Sequence, residues 1–310
     1  MRAEENEEGK PLLCIVGPTA SGKSALAVEV AERIGGEIVS CDSMQIYRGC
    51  DIVTAKATPE ERARVPHHLL DVVNPDESFS AASWARLASE AIASIEARGK
   101  VAIVCGGTGF YLRALLSPET LAVAPPDEVL RAELQRRWER EGKEAMHAKL
   151  AALDAPAAAR LHPNDTHRVL RALEVALSPR AAPFELPTPT RSARVWGLMW
   201  PRETLVQRID ERVEAMIAAG ALEETRALVS RFGGEAPALG SVGYKQVRAY
   251  LKGEVSWSEA VAAWKVATRQ YAKRQMTWFR GQTGALWLDA TRTTDELVGA
   301  VTEAEARRGA

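Results

Sequence analysis

The chain has 310 residues, 46% hydrophobic and 26% charged, which suits a globular enzyme of two domains or of one domain carrying a large insertion. Its net charge of −1 excludes a global positive field, so any contact with nucleic acid must come from a local patch. The cysteines Cys14, Cys41, Cys50 and Cys105 form no C-x-x-C pair, which argues for free thiols in a reducing compartment; no apolar run reaches the roughly 20 residues of a membrane span, and a cytoplasmic protein is expected.

Residues 1–10 are acidic and polar, unlike a secretory leader, and are expected to form a flexible N-terminus. Short apolar runs then alternate with helical patterns. Leu12–Val16, 37–41, 69–73 and 101–105 read as buried strands, and Lys23–Ile34 and Ala81–Ala97 as amphipathic helices. This alternation predicts an α/β core with a parallel sheet over residues 11–120. Pro118, Pro125 and Pro126 break the pattern. From 127 the chain is rich in Ala, Glu and Arg with helical periodicity, and 127–134 reads as a capped helix start. Pro179, Pro183, Pro187 and Pro189 make a second break, so residues 121–190 read as an all-helical insertion. Strand-like runs return at 195–200 and 285–288, and residues 191–310 are assigned to the second part of the core.

Between the first strand and the first helix lie Gly17, Pro18, Thr19, Ala20, Ser21, Gly22, Lys23 and Ser24, a full match to G-x-x-x-x-G-K-[S/T] in the strand–turn–helix setting the motif needs. Its glycines let several backbone N–H groups converge on one anion, and the helix N-terminus adds partial positive charge. Lys23 supplies a full charge and Ser24 a hydroxyl for Mg²⁺. The loop identifies a di- or triphosphate site without saying which one.

Asp42 follows the second strand. In an open α/β sheet ligands bind beyond the carboxyl ends of strands, so Asp42 shares a rim with the phosphate loop. It reads equally as a general base, a magnesium-positioning acid or a helix N-cap. Residues 104–111, with Gly106, Gly107 and Gly109, form another strand–turn–helix at that rim, read either as a ligand approach or as a plain tight turn. Arg168 and Arg171 share a helix face and read either as a phosphate grip or as a solvated pair. Residues 260–288 contain no acid but hold Lys265, Arg269, Lys273, Arg274 and Arg280 interleaved with Trp264, Tyr271, Trp278 and Phe279. This fits a track for single-stranded nucleic acid, or core aromatics beside an exposed basic stripe.

Taken together, 17–24, 42–48, 51–56, 106–111, 162–165 with 168–174, 241–245 and 267–280 resemble, in order along nearly the whole chain, the tRNA dimethylallyltransferase family, also called tRNA isopentenyltransferases. The resemblance implies a P-loop kinase-like parallel sheet whose loop holds dimethylallyl diphosphate, with Mg²⁺, in place of ATP. It also implies a helical insertion that grips a tRNA anticodon stem-loop. Asp42 then looks like the base for the adenine amine and Thr19 like the residue bonding the bridging oxygen of the diphosphate. Arg212 matches a family arginine near the diphosphate. Asp42, Ser43, Met44, Gln45, Thr108, Arg131, His167, Arg168, Val169, Leu170, Arg171, Gly240, Ser241, Val242, Gly243, Tyr244 and Lys245 match RNA-contacting places. A monomer without membrane attachment or an obligatory protein partner is expected. Val53 and Ala57 stand where the family usually has Gly and Pro, so Lys56 is left outside this set. A P-loop nucleotide kinase, an adenylate isopentenyltransferase acting on free nucleotide and a non-catalytic RNA-binding module are the competing readings.

Overall fold

The computed structural model describes residues 11–117, 127–178 and 192–306. The expected flexible segment 1–10 and the proline breaks at 118–126 and 179–191 lie outside the described residues. The chain divides into two compact units, residues 1–117 with 187–310 and residues 118–186.

In the first unit, β1 (Leu12–Val16), α1 (Lys23–Ile34), β2 (Gly36–Ser40), α2 (Pro59–Arg64), β3 (His67–His68), α3 (Ala81–Ala97), β4 (Val101–Gly106) and α4 (Gly109–Leu116) follow one another. All five residues of β1 are buried, the mark of a strand covered on both faces. Leu13, Ile15, Ile38 and Ile103 pack under Leu26, Val30 and other apolar residues of α1. The 69–73 run is not a strand. Leu69 and Asp71 take left-handed φ values of 62° and 57°, which a ladder cannot accommodate. Asp71 instead binds Lys56 and Arg62, and Val72 donates to the Ile46 carbonyl at 2.6 Å, so the segment leaves the sheet to brace the loop after β2.

The chain returns to this unit with β5 (Ala193–Met199) after the second unit's helices, α5 (Glu128–Leu153), α6 (Ala155–Arg160) and α7 (Thr166–Leu177). It continues through α8 (Arg202–Ala218), α9 (Ala221–Phe232), a 3-10 turn at Pro237–Gly240, α10 (Tyr244–Leu251), α11 (Trp257–Gln282), β6 (Leu286–Asp289) and α12 (Thr294–Ala306). The six strands form one parallel sheet in the order β3-β2-β4-β1-β5-β6. Chain order reverses beside β1 and β4, and the turns leaving β1, β2 and β4 stand at that one rim.

The second unit has its own core of Leu134, Met146, Leu150, Val169 and Leu173. Asp127, Asp154 and Asp165 cap its three helices by accepting from backbone amides, and α5 bends at Gly142, where φ is 82°. Its most buried charge is Glu174, 1% exposed, which accepts from Arg131, Arg171 and the Asp127 amide. Burial raises this carboxyl's pKa, but the bonds from Arg171, Asp127 and Arg131 outweigh it and hold it below its ordinary range.

Candidate active site

Gly22 closes the phosphate loop and caps α1 at φ 89°, a left-handed conformation that would strain any other residue. The first-turn amides of α1 have no intrahelical acceptors, which leaves them for an anion. The loop is held from outside by residues that local sequence reading did not single out. Arg208 donates to the Ala20 carbonyl at 3.0 Å and lies 4.4 Å over the Trp200 ring, and Trp200 donates to the Ser21 carbonyl at 2.9 Å. Gln275 accepts from the Thr19 amide at 2.9 Å. Only long-range packing brings these groups to the loop.

A cavity of about 340 Å³ opens beside it. It brings together Thr19, Lys23, Ser24, Asp42, Ser43, Met44, Gln45, Arg212, Gly240, Ser241 and Val242 from the expected set. Tyr271 and Arg274 of α11 join them. This volume lies in the range of small-molecule sites.

Asp42 is not a helix cap. Its Oδ1 accepts from the Met44 amide at 2.9 Å, an Asx turn, and no α-helix follows β2 directly. Thr108 secures the same turn, accepting from the Ser43 amide at 2.9 Å. Gln45 is tied inward, donating to the Thr54 and Ala55 carbonyls at 3.3 and 3.2 Å.

The cations of the cavity lack carboxylate partners at salt-bridge distance among the described residues. Lys23 donates only to the Pro18 carbonyl, at 3.3 Å, and the Arg212 Nε is buried without a hydrogen-bond partner. Burial pushes the Lys23 ammonium below its ordinary range; Cys105 and Asp42 oppose this and Arg212 adds to it. Burial lowers Arg212 too, against Asp42 and together with Arg208. Two desolvated cations at one loop, with Arg212 lowering Lys23 further, make a site suited to an anion. The Ser24 hydroxyl is exposed to the same cavity and has no hydrogen bond to a described residue. It offers a single oxygen of the kind that suits Mg²⁺ shared with phosphates, and no group of three or more acidic, His or Cys side chains among the described residues makes a metal cage.

The remaining expected residues are spread differently. Tyr244 is fully buried and donates to Glu224 at 2.6 Å; Glu224 also accepts from the Asp51, Ile52 and Val53 amides, which fixes the loop at the cavity wall. Gly243 is buried and Lys245 is exposed. Lys56 is buried and paired with Asp51 and Asp71 at 2.7 and 2.6 Å, so it shapes that loop. In the second unit, His167 and Arg168 are exposed, whereas the Val169 and Leu170 side chains are core. Arg131 and Arg171 both bind Glu174.

The basic stripe of α11 is partly paired. Arg269 pairs with Asp210 and Lys265 with Glu214, both acids of α8, while Trp264 and Phe279 are core. The acids missing from 260–288 are supplied by a neighbouring helix. Lys273, Arg274 and Arg280 remain exposed.

The chain is similar to known proteins along most of its length. The family model described as IPP transferase matches residues 45–282. A protein of Geobacter metallireducens named tRNA dimethylallyltransferase is 49% identical over 305 residues, 96% of this chain and 98% of that one. One of Anaeromyxobacter dehalogenans with the same name is 51% identical over 283 residues, 89% of this chain and 94% of its own. The crystal structure of a full-length tRNA isopentenylpyrophosphate transferase from Bacillus halodurans superposes with a TM-score of 0.73 at 39% identity, covering 96% of each chain. A eukaryotic dimethylallyltransferase described as acting on tRNA gives 0.74 at 26% identity, over 96% of this chain and 78% of that one. With a family model that spans most of its length and relatives near half identity from end to end, the chain belongs to the IPP transferase family.

Proposed function

We propose that this protein transfers a dimethylallyl group from dimethylallyl diphosphate to the N6 amine of the adenine on the 3′ side of the anticodon in tRNA, releasing diphosphate. The observation that carries the reading is the cavity that brings Lys23 and Arg212, two cations without an acid partner at salt-bridge distance among the described residues, together with the half-buried carboxylate of Asp42.

The allylic carbon–oxygen bond breaks as the new bond to N6 forms, and negative charge gathers on the departing diphosphate. Lys23, Arg212 and the loop amides meet that charge in a partly dehydrated site, where fixed dipoles act strongly. Thr19 is placed to donate to the bridging oxygen. An adenine amine is a weak nucleophile because its lone pair is delocalised, so Asp42 takes the N6 proton as the bond forms. Ser24 would hold Mg²⁺ together with the diphosphate, and the ion would supply Lewis acidity to the leaving group.

The adenine must leave its stack to reach the cavity, at a cost of a few kcal/mol. Exposed His167 and Arg168 in the insertion, and Lys245, Ser241 and Thr108 in the core, are assigned to the RNA. Val169, Leu170 and Tyr244 contribute through their backbone. No helix among the described residues is long and apolar enough to cross a membrane. We assign a cytoplasmic monomer.

The test is incubation with labelled dimethylallyl diphosphate and either bulk tRNA, an isolated anticodon stem-loop or AMP, followed by nucleoside analysis. N6-alkylated adenosine from the RNA substrates, with kcat/KM far above that for AMP, supports the reading. Equal values would favour a free-nucleotide enzyme, and ATP consumption without alkylation a kinase.

A further inference from the structure

Gln275 is a polar side chain only 6% exposed, on the face of α11 that otherwise buries Trp264, Ala272 and Phe279. A buried amide must satisfy both of its ends. Its Oε1 accepts from the Thr19 amide at 2.9 Å and its Nε2 donates to the Gly107 carbonyl at 2.9 Å. One partner is a donor and the other an acceptor, so a single amide orientation serves both. The approach is close: a Cβ on Gly107 would sit 2.3 Å from Nε2, so any other residue there would displace the Gln275 amide. Beyond Gly107, the Thr108 hydroxyl accepts from the Ser43 amide at 2.9 Å and reaches the Ser43 Oγ at 3.3 Å. Ser43 adjoins Asp42. One side chain of α11 thus joins the phosphate loop after β1 to the turn after β4, and through it to the turn after β2.

We infer that Gln275 is a positioning residue that sets the separation between Thr19, on the leaving-group side, and Asp42, on the proton-accepting side; this rests on the transfer reaction proposed above. The two loops leave different strands, and loops are the most mobile part of a fold. An in-line displacement tolerates little error in the placement of its two ends, and a misplacement of about 1 Å can cost on the order of 100-fold in rate. Phosphate binding by Lys23 and the α1 amides does not depend on that separation, whereas the chemical step does. Glutamate could still accept from Thr19 but could not donate to Gly107.

The test is a kinetic cycle of Gln275→Met, Thr108→Val and the double variant, with thermal unfolding of each. Gln275→Met should lower kcat on the order of 10–100-fold while KM for dimethylallyl diphosphate moves less than about threefold. In the Thr108→Val background, where the hydroxyl bond to Ser43 is gone while the Thr108 amide still donates to the Cys41 carbonyl at 3.0 Å, the same substitution should cost clearly less than it does in the wild-type background. Multiplicative effects of the two substitutions, an unchanged kcat, or a rise in KM with no fall in kcat would each overturn the inference. If Gln275→Met does not fold, Gln275→Glu takes its place and reads the Gly107 arm alone, under the same criteria. The wild-type protein is the control for the reaction: absence of transfer there would overturn the proposed function, whereas transfer with multiplicative effects would overturn only the role of Gln275.

Discussion

Asp42→Asn is expected to separate chemistry from binding. The Asp42 Oδ1 accepts from the Met44 amide at 2.9 Å, and an asparagine carbonyl oxygen occupies the same place, so the turn survives. The substitution is isosteric and half-exposed, and stability should change by less than about 0.5 kcal/mol. What disappears is the charge and the capacity to take the N6 proton. Losing a general base typically costs about 10²–10⁴-fold, or about 2.7–5.5 kcal/mol in the barrier at about 1.36 kcal/mol per tenfold. Diphosphate affinity should hold or rise, because Asp42 is an acid facing the same cations, Lys23 and Arg212, that the anion needs. Single-turnover transfer to a stem-loop, read beside equilibrium binding of both substrates, distinguishes these effects. Near-wild-type turnover would refute the base assignment, and lost binding with a lowered Tm would reduce Asp42 to a turn former. Asp42→Ala, which also removes the turn acceptor, should lose rate and weaken binding together.

Lys23→Ala should raise KM for dimethylallyl diphosphate and lower kcat, a combined loss in kcat/KM on the order of 10²–10³-fold, because the ammonium meets both substrate and leaving group; steady-state kinetics at varied diphosphate check it, and full activity at low substrate would remove the phosphate-loop assignment. The Glu174 carboxyl is held below its ordinary value of 4.5, so its stabilisation is present above about that pH and is lost as pH falls through the folded value. Circular dichroism during acidification should show a helix-losing step below about pH 4.5 that Glu174→Gln abolishes, with neutral-pH stability lowered by about 1.5–3 kcal/mol, as for a hydrogen bond to a charged group. Arg168→Ala should flatten the dependence of log Kd for the stem-loop on log salt by about 0.7–0.9. Arg171→Ala should act first on stability, because Arg171 is tied to Glu174 at 2.9 Å; equal salt slopes for Arg168→Ala and the wild type would mean that Arg168 is merely solvated.

The chemistry at the rim was legible because it is encoded in short contiguous stretches. Residues 17–24 carry their own backbone requirements in Gly22 and their own charge in Lys23, and the alternation of apolar runs with helical periods places the loop between β1 and α1 without further information. The first helix of the insertion announces itself by Asp127 at its start, whereas the caps Asp154 and Asp165 of the next two come from the structure. What could not be read locally depends on partners distant in sequence. An apolar run at 69–73 looks like a strand until Lys56 and Arg62 draw Asp71 out of the sheet. The acid-free stretch in α11 looks like an open cationic surface until α8 packs against it, Glu214 lying 51 residues from Lys265 and Asp210 59 residues from Arg269. Gln275 meets Thr19 across 256 residues. Burial was equally invisible for Tyr244 and Val169, whose motif positions suggest contact with a ligand while their side chains fill cores. The sequence by itself determined the phosphate loop, the strand–helix alternation around β1, β2 and β4 and the acid at the rim, because dihedral preference and hydrophobic period act over neighbouring residues. Only the tertiary structure decided which charges stay unpaired and which polar groups lock the loops, because pairing and desolvation depend on what the folded chain brings alongside.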